Sequence, residues 1–180
     1  MVYVLLGTGF EETEAIAPLD LLRRANIDVW TVGLNGKTVY GGHGIGITAD
    51  ITPEEMDLAN MDMIVLPGGL GGVASIRASE KAMDAIHYAH ENGRFVAAIC
   101  AAPTILAQFG ITDGRKAVCY PGCEEEMGNA HMLDDVPCVR DGHVITGTSA
   151  GCAIPFGLAL IEALKGADEA QRVARQIVNR

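Results

Sequence analysis

Cys100 is the residue whose type and surroundings best suit chemistry. It stands where an apolar run, residues 95–99, of the kind a strand buried on both faces shows, meets a helical stretch, residues 101–109, with Pro103 in its first turn. A side chain at a strand-to-helix turn is pushed out of the sheet, beside the unpaired N–H groups and the positive dipole end of the helix. For a thiol, that setting favours the thiolate, the nucleophilic form. By base rate a single cysteine is a small buried hydrophobe, but the turn position and the small neighbours Ala98, Ala101 and Ala102 favour a reactive thiol here. Such a thiol needs a helper acid or base, and Glu14 and Gly68-Gly69 follow other strands that end at the same sheet edge.

Three other constellations invite chemistry and fit it less well. Gly7-Thr8-Gly9 opens like a dinucleotide fingerprint, yet Glu12 occupies the third glycine position and Glu11 and Glu14 would face the pyrophosphate, so a tight turn is the better reading. Gly147-Thr148-Ser149-Ala150-Gly151 matches the G-x-S-x-G elbow, but a hydrolase triad needs its histidine later in the chain, and His43, His87, His90, His131 and His143 all precede Ser149. Cys119, Cys123, His131 and Cys138 have loose spacing and no second close pair, which argues against zinc; no metal is expected.

The elements that must position Cys100 follow from the apolar pattern. Residues 1–6 and 27–33 read as strands around a helix ending near Arg24, a right-handed βαβ unit. Residues 41–52 are glycine-rich and suggest a short strand or excursion at a sheet edge. A helical turn opens at Thr52, a buried strand spans 61–66 and stops at Pro67-Gly68-Gly69, and a helix runs from Ser79 to Asn92 with Gly93 as its C-cap. Residues 116–141 read as irregular; a short strand at 144–146 and helices over 152–164 and 168–178 complete the chain. Strands alternating with helices predict an open, mostly parallel α/β sheet covered on both faces, with the binding site outside the carboxyl ends of its strands.

The totals agree. The 180 residues suit one domain, 1–180. A formal charge of −10 without a basic patch argues against nucleic acid and anionic lipid. The opening apolar run is too short for a signal peptide or membrane span, and five cysteines in such a chain suggest reduced thiols, so a cytoplasmic location is expected.

Glu11-Glu12-Thr13-Glu14, Leu66-Pro67-Gly68-Gly69 and Ala97-Ala98-Ile99-Cys100-Ala101-Ala102-Pro103 together resemble the ThiJ/PfpI superfamily, specifically the branch of the parkinsonism-associated protein deglycase and its bacterial relatives, across nearly the whole chain. The resemblance implies a flavodoxin-like three-layer sandwich and a homodimer. It implies Cys100 as nucleophile, Glu14 as the carboxyl sharing a proton with it, Gly69 and Ala101 N–H groups (with Gly68 beside them) as an oxyanion site, His131 as the histidine near the cysteine, and Arg24 as a retained anion-binding arginine. Thr148 stands where the family has a second arginine.

The activity implied is that of a cofactor-independent glyoxalase or deglycase acting on small reactive carbonyls such as methylglyoxal. A rival role is an oxidative-stress sensor working through oxidation of Cys100. Peptidase or amidase chemistry is the weaker alternative, because Ala101 follows Cys100 where the protease branches carry histidine.

Overall fold

A computed structural model describes residues 1–178. Its centre is a six-stranded sheet in the order β2 (Val29–Gly33), β1 (Val2–Leu6), β5 (Met63–Leu66), β6 (Phe95–Ile99), β10 (Val144–Gly147) and β9 (Cys138–Asp141). All neighbours are parallel except the β10–β9 pair at one edge. Crossover helices give the parallel strands two buried faces, and the alternation along each strand assigns the side chains to one or the other. Val4, Leu6, Val65, Ala97, Ile99 and Ile145 join one core with α1 (Glu12–Arg24), α5 (Ala153–Lys165) and α6 (Ala167–Gln176). Leu5, Ile64, Leu66, Val96, Ala98 and Val144 join the other with α2 (Leu70–Ala78), α3 (Glu80–Glu91) and α4 (Pro103–Gln108). This is the flavodoxin-like three-layer sandwich.

The differences from the sequence reading have local causes. Helix α2 was not expected, because the two glycines in LGGVASIRA hide its apolar side; Val73 and Ile76 nevertheless bury there. Its glycines let the backbone approach: a Cβ on Gly72 would lie 2.7 Å from Phe10 Cα. The glycine-rich stretch makes the expected excursion at the sheet edge: its β4 (Gly46–Thr48) pairs with β3 (Thr38–Tyr40) in a separate hairpin, and Ile51 then bridges to Val32 of the edge strand β2. The irregular region contains β9 and a parallel pair of short strands, β7 (Lys116–Ala117) and β8 (His131–Met132). Helix α4 is shorter than residues 101–109, since Ala101 and Ala102 form the turn that precedes it.

Among the described residues, no helix is long and apolar enough to cross a membrane. Because β1, β5, β6 and β10 are parallel neighbours, their carboxyl ends share one edge, and the segments leaving them carry Glu14, Gly68-Gly69, Cys100 and Thr148.

Candidate active site

Cys100 closes β6 with φ of +67°, a left-handed conformation that strains a non-glycine residue. Two backbone bonds hold it there: its N–H donates to Gly147 O at 3.0 Å, and its carbonyl accepts from Tyr120 N–H at 2.7 Å. The turn therefore depends on both the neighbouring strand β10 and the segment after β7.

Glu14, in the first turn of α1, is only 1% exposed and lies against the Cys100 thiol. Its Oε2 accepts Gly68 N–H at 2.9 Å, while Oε1 is buried without a hydrogen-bond partner among the described residues. Gly68 has to be glycine: a Cβ there would sit 2.6 Å from both Cys100 Cβ and Glu14 Oε2. Gly69 follows with φ of +82°, and its N–H, together with that of Ala101, faces the sulfur.

Burial pushes the Glu14 carboxyl up to about 7, against the pull of its bonds to Cys100 and Gly68. Burial also pushes the Cys100 thiol up to about 12, helped by the charge and hydrogen bond of Glu14 and opposed by the Gly69 and Ala101 N–H groups. This corrects the expectation that the turn by itself yields a low-pKa thiol. The two groups titrate as a unit that holds one proton and one negative charge between about 7 and about 12. A carboxylate leaves Oε1 buried and unpaired, whereas a carboxylic acid has a proton to share with the sulfur that Glu14 lies against. In that second form the thiolate meets the Gly69 and Ala101 N–H groups and the acid O–H.

The structure thus brings together Cys100, Glu14, Gly68, Gly69 and Ala101, and leaves two other candidates elsewhere. His131 is exposed on β8, its N–H bonded to Arg115 O, and it is not among the groups acting on Cys100. Arg24 ends α1, ten residues from Glu14 and so about 15 Å along the helix at 1.5 Å per residue, and it pairs with Asp20 at 2.6 Å. Tyr120, which anchors the Cys100 carbonyl, carried no sequence signal because its segment is irregular.

A second carboxylate, Glu12, escaped the sequence reading. Its Oε1 accepts His43 N–H at 2.7 Å and Ile45 N–H at 3.4 Å, and its Oε2 lies 2.8 Å from His43 Nδ1. Burial raises its pKa, but the bonds from the His43 ring and from backbone N–H groups outweigh burial and hold it below the usual carboxylate range. Glu11, Glu12 and His43 are the one group of metal-ligating side chains whose ligand atoms come within 4.8 Å of one another among the described residues, but both Glu12 oxygens are already engaged. Cys119, Cys123, His131 and Cys138 form no such group, and all five cysteines are free thiols.

Residues 1–163 match the DJ-1/PfpI family. The chain is 37% identical to Protein dj-1beta of Drosophila melanogaster over 177 residues, 97% of this chain and 95% of that protein. It is 32% identical to the deglycase PH1704 of Pyrococcus horikoshii over 146 residues, 81% of this chain and 87% of that one. A crystal structure of a mutant DJ-1 superfamily protein from Salmonella typhimurium superposes with a TM-score of 0.93 at 34% identity, covering 99% of this chain and 98% of the other.

Proposed function

We propose, from the premise that the chain belongs to the DJ-1/PfpI family, that it is a cofactor-independent glyoxalase or deglycase acting on methylglyoxal-type 2-oxoaldehydes or their adducts. The observation that carries this reading is the pairing of a buried carboxyl, its pKa raised by burial, with the Cys100 thiol beside it. The family also includes a relative named as a deglycase.

The thiolate adds to the aldehyde carbon, and the new oxyanion sits on the Gly69 and Ala101 N–H groups before taking the proton of Glu14. Glu14, now a carboxylate, removes the hydrogen of the former aldehyde carbon and returns it to the adjacent carbon. With the hydroxyl proton of the former aldehyde carbon passing to the oxygen of the adjacent carbon, that shift turns the hemithioacetal into a thioester of a 2-hydroxy acid, which water cleaves to release the acid and the thiol. Glu14 carries the proton to the oxyanion and the proton between the two carbons. The working unit in this proposal is a homodimer, checked by its mass in solution.

Cys100→Ser and Glu14→Ala are each expected to abolish lactate formation from methylglyoxal, and full retained activity in either variant contradicts the reading. A second reading is redox sensing, favoured by Glu14 Oε1, which as an acid O–H also suits a Cys100 sulfinate oxygen. It requires Cys100 to be the first thiol to gain oxygen under mild peroxide, as read by mass spectrometry.

A further inference from the structure

A cavity of about 490 Å³ opens beside the oxyanion site, lined among others by Leu70, Val73, Arg77, Ala101, Thr104 and Cys123. Ala101, whose N–H faces the sulfur, lines the cavity, and so does Leu70, the residue after the other donor, Gly69. Its rim is apolar at Leu70, which is 84% exposed. Its positive charge is Arg77, in the last turn of α2.

The guanidinium is held in register with the oxyanion site. Arg77 Nη2 donates to Thr104 Oγ1 at 2.8 Å, and that hydroxyl donates to Ala101 O at 2.7 Å. Nη2 also lies 3.3 Å from Glu126 Oε2, but Glu126 is 62% exposed and such a pair is screened and weak. The remaining N–H groups of Arg77 have no acceptor among the described residues. A cation fixed beside an apolar rim, with donors to spare, suits a carboxylate on a short carbon chain.

We infer that this cavity selects the substrate: it receives the thiol part of a hemithioacetal adduct, where Arg77 binds a carboxylate in place of Glu126. The adduct's C–S bond breaks as its hydroxyl becomes the aldehyde carbonyl and the hydroxyl proton leaves with the departing thiol, and Cys100 then adds to the aldehyde so freed in the site. The inference rests on the reading of Cys100 as the thiol that adds to the carbonyl. Arg77 is thereby a specificity residue, and Glu126 an internal competitor for it.

The test compares two methylglyoxal hemithioacetals, of N-acetylcysteine and of N-acetylcysteamine, which differ by one carboxylate. The wild-type chain should show a kcat/KM roughly tenfold higher for the carboxylate-bearing adduct, the scale of one charge-assisted pair. Arg77→Ala should erase that preference by lowering kcat/KM for the carboxylate-bearing adduct severalfold more than for the neutral one, Arg77→Lys should restore part of it, and Glu126→Gln should enlarge it. An equal loss for both adducts in Arg77→Ala, or no preference in the wild type, overturns the inference. If neither adduct is turned over, the glyoxalase reading fails, and the cavity is judged by labelling alone. Mass spectrometry then compares modification of Cys100 by 3-maleimidopropionate and by N-ethylmaleimide: a ratio that falls severalfold in Arg77→Ala supports the inference, and an unchanged ratio overturns it.

Discussion

Glu12 and Glu14 stand two residues apart in the first turn of one helix, both buried, and they titrate in opposite directions. Residues at i and i+2 point to different sides of a helix, so each carboxyl has its own surroundings. Glu12 points to the β3–β4 hairpin, where the His43 ring and backbone N–H groups surround it and keep it charged. Glu14 points to the sheet edge, where it receives one backbone N–H and faces a thiol. The same side chain is a structural anion in one place and a proton carrier in the other. Glu14 lies deeper among protein atoms and receives fewer donors, and the two differences act together.

The largest effect should come from removing the proton carrier. Glu14→Gln is expected to lower turnover of methylglyoxal at least about 100-fold, the usual scale for a lost general acid and base, whereas Glu12→Gln should leave kcat within a few-fold. A comparable loss in both variants breaks the distinction.

Gly68→Ala attacks the same site by crowding, because its Cβ would meet the thiol-bearing carbon and the carboxyl together. It should separate the pair and reduce Cys100 alkylation near neutral pH more than tenfold, by order of magnitude from the lost hydrogen bond between them. Fold retention is checked by circular dichroism.

Stability against pH sharpens the comparison further. Folded Glu14 keeps its proton up to about 7, whereas its ordinary value is 4.5. The folded state therefore binds the extra proton between those values, and the stability it contributes is complete below 4.5 and is lost as pH rises to about 7. The amount is on the order of 3 kcal/mol, and Glu14→Gln should remove it from urea melts taken across that window. Glu12 runs the other way: its pKa is lowered, so its contribution is present above the ordinary carboxylate value and is lost as pH falls through the depressed one. Glu12→Gln is expected to cost roughly 1–2 kcal/mol at neutral pH. His43→Ala should cost less stability than Glu12→Gln, because the exposed ring is one of several donors to Glu12 and the backbone bonds survive.

The parallel sheet was legible because Val, Ile and Leu runs alternate with helical periods, and the thiol's setting was legible because Cys100, Gly68-Gly69 and Glu14 all sit just past such runs. What depends on long-range bonds was not. Glu12 meets His43 only because a hairpin folds back over the start of α1, a separation of 31 residues. Tyr120 reaches Cys100 through a segment whose short strands carry no periodic signal. His131 lies in the same irregular region, exposed on β8. Arg24 belongs to the right helix at the wrong end. The thiol's pKa was misjudged because local turn geometry shows the donors at the sulfur but not the buried carboxyl beside it.

The shared proton is tested most directly by the rate of Cys100 alkylation with iodoacetamide as a function of pH, followed at that residue by mass spectrometry, in the wild type and in Glu14→Gln. The wild-type rate should rise with a midpoint near 7, where the pair loses its first proton, and in Glu14→Gln that rise should move to alkaline pH. A single rise above about 8.5, the value of an ordinary free thiol, unchanged by Glu14→Gln, would contradict the account.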